Sequence, residues 1–215
     1  MTQYLPLFLK GMAVTCAATV LAGSVSLAIG TLLGIASCNR LTHPALFIPI
    51  KIFTFIAKGI PAYVQILIAY FIVPSILNID IPAFFAACSA LAFCSAGYTT
   101  EIIRSGINAV PNGQWDACIT LGYPVAATIK RIIAPQALRV ITPALFGELE
   151  QLVKSSSLLA TIGVTELTRT GMNIISRELN PIPVYLAIAA AYLLFSALLT
   201  LIALYMEKRL SHGRN

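Results

Sequence analysis

Charge is scarce in this chain of 215 residues: only 10% are Asp, Glu, Lys or Arg, whereas 58% are hydrophobic. Ordinary soluble domains carry about a quarter charged residues. Together with a mean hydropathy of +0.87, the shortage excludes a conventional soluble domain and predicts an all-α membrane protein. A bilayer-crossing helix needs about 20 mostly apolar residues, so the length admits some five or six crossings and a single domain over 1–215. Groups for catalysis are missing too. The only histidines, His43 and His212, lie far apart, outside any His-Glu-x-x-His helix. No Gly-x-Ser-x-Gly turn and no glycine-rich loop ending in Gly-Lys-Ser/Thr occurs, so neither a hydrolase nor an ATPase is expected. Cys16, Cys38, Cys88, Cys94 and Cys118 show no Cys-x-x-Cys or metal-like spacing and read as small buried hydrophobes. No metal and no catalytic residue is therefore expected. The first basic residue is Lys10, so the charged start of a secretion signal is lacking and the first apolar run is expected to be retained.

What is present is a set of charge-free stretches, from Gly11 to Asn39, Gly59 to Ile79, Ile81 to Thr100 and Leu179 to Met206, each long enough to span. A further apolar segment, Val140 to Val164, contains Glu148, Glu150 and Lys154 and must be shielded from lipid. Five transmembrane helices are predicted, at about 11–38, 52–77, 82–103, 138–162 and 182–207. With the N-terminus outside, Arg40, Lys51, Arg104, Lys130, Arg131, Arg139, Lys208, Arg209 and Arg214 fall on the cytoplasmic side, against Lys10, Arg169 and Arg177 outside. Basic residues stay in cytoplasmic loops, so the polar segment 105–135 and the C-terminus are placed inside. The formal charge of +6 then reads as orientation, and no nucleic acid partner is inferred from it.

In the first helix Ala18, Ala22, Ser26, Gly30 and Gly34 recur every four residues, giving a small-residue stripe that lets another backbone come close. In the polar segment, Asn112 can cap a short helix and Gly122 can end it in the left-handed conformation. Pro124 suits the first turn of a second helix through Ile129 to Ile133, and Pro135 is expected to stop it. Trp115, Cys118 and Ile119, then Ile129, Ile132 and Ile133, give both short helices an apolar side. A helix-Gly-helix loop of this kind suits docking onto a partner, the other reading being a segment lying on the membrane surface. Intramembrane charges usually face a cavity or a partner, which makes Glu148, Glu150 and Lys154 candidates for a substrate pathway. At about 100° per residue, Glu148, Gln151 and Ser155 share one stripe, while Glu150 and Lys154 can pair on the next. That leaves Glu148 as a carboxylate for a cationic group. A structural charge network is the competing reading.

Gly113-Gln-Trp-Asp-Ala-Cys118, Leu121-Gly122 and Arg131-Ile-Ile-Ala-Pro-Gln-Ala-Leu-Arg139 together resemble the Glu-Ala-Ala loop of bacterial ABC importer permeases, the inner membrane components of binding-protein-dependent transport systems. The match is closest to the subfamily that carries histidine, arginine, glutamine and related substrates. Further similar segments are Lys58-Gly-Ile-Pro61, Tyr98 to Ile107, Lys154-Ser-Ser-Ser-Leu158 and Ile162-Gly-Val-Thr-Glu-Leu167, so the resemblance covers nearly the whole chain. It implies a type I importer permease fold in which 105–135 is a coupling loop seated on a separate cytoplasmic ABC ATPase dimer, with Gly113, Asp116, Ala117, Gly122 and Pro135 as coupling residues. It also implies a second permease subunit, an extracytoplasmic amino-acid-binding protein, and a pathway lined by the fourth helix. ATP and Mg²⁺ would belong to the partner, with no cofactor on this chain. Asp116 stands where Glu is usual, Cys118 for Ala and Ala134 for Leu; Lys58 and Ile60 replace Arg and Thr, and Ser155 and Ser156 replace Asp and Thr. The substrate class implied is the polar amino acids, a cationic one being slightly favoured over glutamine or glutamate. The alternative, a self-sufficient ion-coupled carrier or channel, would have no need of such a loop.

Overall fold

The computed structural model describes residues 2–40 and 44–211. His43, His212 and Arg214 lie outside the described residues. The described chain is helical: α1 (Leu5–Ala36), α2 (Pro44–Gly59), α3 (Ala62–Leu77), α4 (Ala83–Asn108), α5 (Asn112–Thr120), α6 (Val125–Thr128), α7 (Ala134–Ser155), α8 (Leu167–Glu178) and α9 (Pro181–Ser211). Among the described residues α1, α4 and α9 are each long and apolar enough to cross a membrane, and α2 with α3 passes as a pair bent by 98°. α7 is not in this group, because Arg139, Glu148, Glu150 and Lys154 interrupt its apolar positions.

α1 against α4 is the most extensive packing in the molecule. The five small residues of the α1 stripe are all buried, together with Gly11, Thr15 and Thr19. A Cβ built on Gly30 would lie 2.5 Å from Thr99 Cβ, and one on Gly34 2.6 Å from Ile103 Cβ and 2.9 Å from the Thr100 carbonyl oxygen. Only hydrogen at those positions lets the two backbones approach so far. α4 buries small residues of its own, among them Ala86, Ala87, Ala90, Ala92 and Ala96. This is the packing that works in lipid, where apolar side chains gain little by leaving the bilayer and close van der Waals contact supplies the cohesion.

Two apolar clusters mark opposite ends of the bundle. Ile103, Trp115, Ile133, Ala137 and Ile141 join the end of α4 and the start of α7 to α5. At the other end Leu167, Ile174, Val184 and Ile188 join α8 to α9, with Phe8 and Met12 of α1 packed against them. There the side chain of the buried Glu166 accepts from the Thr168 and Arg169 backbone N–H groups, at 2.8 and 2.7 Å, and so caps α8.

Three expectations from the sequence are corrected. The single helix at 52–77 is two helices, because Pro61 has no N–H to continue the ladder and the chain turns at Ile60–Pro61. Asn112 is not the cap of α5; it is the first helical residue, and extended Pro111 (φ −54°, ψ 137°) occupies the cap position. Pro135 does not end a helix. A π turn over Ile129–Ile133 leads directly into α7, with Pro135 in its first turn. A wider turn relieves the collision between a proline ring and the carbonyl four residues earlier. α3 repeats the device, its π turn at Ile68–Ile72 standing immediately before Val73 and Pro74.

Candidate functional site

Glu148 projects from α7 toward α4, where Ser95 Oγ donates to its Oε1 at 2.7 Å. The same Ser95 Oγ is 3.2 Å from Ser26 Oγ on α1. Its single proton goes to the carboxylate, so any bond between the two hydroxyls is donated by Ser26, whose alternative acceptor is the Gly23 carbonyl at 3.0 Å. Withdrawing a carboxylate from water is costly unless it is hydrogen-bonded, and Ser95 provides a bond to the half-buried Glu148.

Two cavities meet at this point, and both are lined by Ser95 and Glu148. One, of about 380 Å³, lies between α1, α4 and α7 and is mainly apolar. The second, of about 350 Å³, is more polar and is lined by Lys58, Ser95, Tyr98, Glu148, Gln151 and Ser155 among others. It therefore brings Glu148, Gln151 and Ser155 together, with Gln151 Nε2 at 3.5 Å from Ser155 Oγ. Glu150 and Lys154 line neither cavity. They pair with each other at 2.7 Å on another face of α7. That is the pairing their four-residue spacing predicts, on a stripe separate from Glu148.

Lys58, Tyr98 and Ser95 were not assigned to the site from the sequence. Lys58 sits at the end of α2, its Nζ 5.5 Å from the centroid of the Tyr98 ring, within cation–π range. The available signal was a lone cation among apolar residues immediately before a Gly and a Pro. Lys58 and Glu148 belong to different helices and line one cavity only in the packed chain. Among the described residues no three of His, Cys, Asp and Glu converge in a way that could hold a metal ion.

At the Trp115 end, α5 turns Trp115 and Cys118 inward and leaves Gly113, Asp116 and Ala117 exposed. Gly122 has φ +69°. Its N–H donates to the Ile119 carbonyl at 3.0 Å and that of Tyr123 to Cys118 at 2.9 Å, closing a Schellman motif. Ile119, Leu121 and Val125 stand 68%, 74% and 62% exposed around this turn, an apolar protrusion outside the bundle. Asp116 is tied to Arg40, just beyond α1, by an ion pair of 3.0 Å. Pro135 lies in the helix that continues from this element toward Glu148.

Residues 6–212 match the family model described as binding-protein-dependent transport system inner membrane component. The chain is 32% identical over 206 residues to the arginine transport system permease protein ArtQ of Bacillus subtilis (strain 168), covering 96% of this chain and 93% of that protein. It is 34% identical over 202 residues to the putative glutamine transport system permease protein GlnP of Rickettsia felis, covering 94% and 91%. Among solved structures, an amino acid ABC transporter crystallised with histidines superposes with a TM-score of 0.89 at 32% identity, over 97% of this chain and 96% of that one. The MetNI methionine ABC transporter, in an inward-facing conformation, shares the fold at 17% identity and a TM-score of 0.82, over 98% and 99%. The chain belongs to the family of binding-protein-dependent transport system inner membrane components.

Proposed function

We propose that this chain is the membrane-spanning subunit of an ATP-driven importer for a polar amino acid, a cationic one such as arginine ahead of glutamine and glutamate. The observation that carries the reading is the cavity lined by Glu148 from α7 and Lys58 from α2. An amino acid brings an ammonium and a carboxylate of its own, and a site with one fixed charge of each sign suits both. Relatives named for arginine and glutamine transport support the same class. In this reading Glu148 receives the cationic end of the substrate and Gln151 and Ser155 hydrogen-bond to it. The Glu150–Lys154 pair stays outside the path and supports the helix.

The chain would cross the membrane five times, through α1, the bent α2–α3 pair, α4, α7 and α9, with its N-terminus outside and its C-terminus in the cytoplasm. The turn around Gly122 is the coupling element, with Gly113, Asp116 and Ala117 on its outer face, and its exposed Ile119, Leu121 and Val125 suit insertion into a groove of a cytoplasmic ATPase dimer. ATP and Mg²⁺ belong to that partner. A second permease subunit completes the pathway, and an extracytoplasmic binding protein delivers the substrate. The test is uptake by the complex reconstituted in liposomes across a panel of amino acids. Glu148→Gln is expected to lower arginine uptake by about tenfold or more, as loss of a charged hydrogen bond does, and glutamine uptake by less. Arginine uptake that survives unchanged removes the role of Glu148.

A further inference from the structure

Breaking a helix inside a membrane frees carbonyl groups that lipid cannot satisfy. In an unbroken α2–α3 the N–H groups of residues 61 to 64 would bond the carbonyls of residues 57 to 60. Pro61 has no N–H, and the 98° bend carries the next three residues away. The side chain of Gln65, itself 5% exposed, fills this gap: its Nε2 donates to the Ala57 carbonyl at 2.9 Å and to the Ile60 carbonyl at 2.7 Å. These carbonyls bracket Lys58 in the chain. The amide cannot be turned over, since that would set Oε1 against two carbonyl oxygens. Held this way round, Oε1 is buried without a hydrogen-bond donor. The side chain thus satisfies two backbone carbonyls while its own oxygen stays unpaired. The surrounding packing gives the bend little freedom, for a Cβ on Gly97 of α4 would stand 2.8 Å from Ala57 Cβ and 3.2 Å from Lys58 Cγ.

We propose that Gln65 is a positioning residue of the transport pathway: its amide replaces the N–H that Pro61 lacks and fixes the α2–α3 bend that presents Lys58 to the cavity shared with Glu148. The proposal rests on the reading of that cavity as the amino acid path. Gln65 touches no substrate in this scheme. It acts through the backbone on either side of Lys58.

The first experiment reads the position of residue 58 directly. Lys58→Cys is introduced into the full chain, and modification by a charged methanethiosulfonate reagent is quantified at each cysteine by peptide mass spectrometry, so the native thiols remain as internal references. Adding Gln65→Met, which keeps the volume and loses the donors, is expected to slow modification at position 58 by about tenfold, the ratio that loss of one hydrogen bond of about 1.4 kcal/mol produces. Gln65→Leu, which also lacks both donors, should do the same if Gln65→Met fails to fold. Modification at position 58 that stays within about twofold of the parent rate, on a scale where one hydrogen bond is worth about tenfold, overturns the proposal. The second experiment uses the assembled importer and reads ATPase stimulation by arginine and by glutamine. Gln65→Met should raise the half-saturating concentration more than it lowers the maximal rate. A chain that is merely destabilised would lose maximal rate at an unchanged half-saturating concentration, and that result also overturns the role. If no amino acid stimulates even the parent complex, the substrate class falls, and labelling at position 58 alone decides the role of Gln65.

Discussion

Replacing Gly34 with alanine inserts one methyl group where α1 and α4 are closest. The new Cβ would stand 2.6 Å from Ile103 Cβ, 2.8 Å from Ile103 Cγ2 and 2.9 Å from the Thr100 carbonyl oxygen. Two of these three atoms cannot move by a change of rotamer, so the helices must separate. Overpacking of this kind costs about 1–3 kcal/mol, offset by about 0.8 kcal/mol from the better helix propensity of alanine. Taking about 2 kcal/mol for the clash, the net loss is about 1.2 kcal/mol, or about 2–5 °C in a chain of this size. Gly23 on the same helix supplies the control. Its added Cβ would meet Leu152 Cδ2 at 3.5 Å and Leu149 Cδ1 at 3.6 Å, ordinary contacts. Gly23→Ala should keep the propensity gain and raise the midpoint by about 1–3 °C. The assay is thermal unfolding of the purified chain in one detergent, followed by intrinsic fluorescence and by size exclusion of heated samples. Opposite signs are expected for the same substitution eleven residues apart. Shifts of the same sign and similar size would refute the claim that α1 and α4 are held by backbone approach at Gly34.

Gly122 gives a second contrast, because nothing lies within 4 Å of an added Cβ there and the cost of substitution is entirely its φ of +69°. Gly122→Asn, which tolerates that conformation, should retain most ATPase stimulation in the assembled complex, whereas Gly122→Val should lose it with the protein still in the membrane; equal activity in both variants would count against the turn as the coupling element. The proposed orientation is checked with a cysteine at Asn112, an exposed position at the start of α5. A membrane-impermeant thiol reagent should reach it only in inverted vesicles, and labelling in intact cells would reverse the topology.

How far the fold was legible depended on whether a feature is local to one helix. The stripe from Ala18 to Gly34 was readable because a four-residue recurrence is a property of helix geometry, and small residues in lipid have little use except close packing. The turn at Gly122 was readable for the same reason: a glycine followed two residues later by a proline is local chemistry. The break in the second predicted helix is not legible from the charge-free run around Pro61, because hydropathy carries no direction. α8 is amphipathic, so no long apolar run marks it in the sequence. Its signal was Glu166 as a cap, followed by Leu167, Gly171 and Ile174 at helical spacing. For the site, Glu148, Gln151 and Ser155 were readable as one stripe of α7. Lys58 and Tyr98 come from other elements, and only tertiary packing brings them to the same cavity.

The place of Pro135 in the first turn of α7 has a mechanical consequence. Had it stopped a helix, the Gly122 turn would be joined to the bundle by a loose connection, and movement at that turn would dissipate there. Instead the π turn at Ile129–Ile133 runs into α7 without interruption, and the same helix carries Glu148. From Ala134 to Glu148 the rise is about 21 Å at 1.5 Å per residue. Under the proposed coupling role, a displacement imposed on the exposed Ile119, Leu121 and Val125 is carried by packed helix to the carboxylate of the pathway. Two places along that route can yield. The π turn accommodates Pro135, and Pro143 lies inside α7, where its missing N–H frees the Arg139 carbonyl. Pro143→Ala restores the bond and stiffens the helix between the two. If transport depends on the helix moving as one body, Pro143→Ala leaves the ratio of substrate transported to ATP hydrolysed unchanged or raises it; if transport depends on bending between the coupling turn and Glu148, that ratio falls while hydrolysis continues. Continuous packing of Ile133, Ala137 and Ile141 against Ile103 favours the single-body motion, so a fall in the ratio would shift the hinge from the π turn to Pro143.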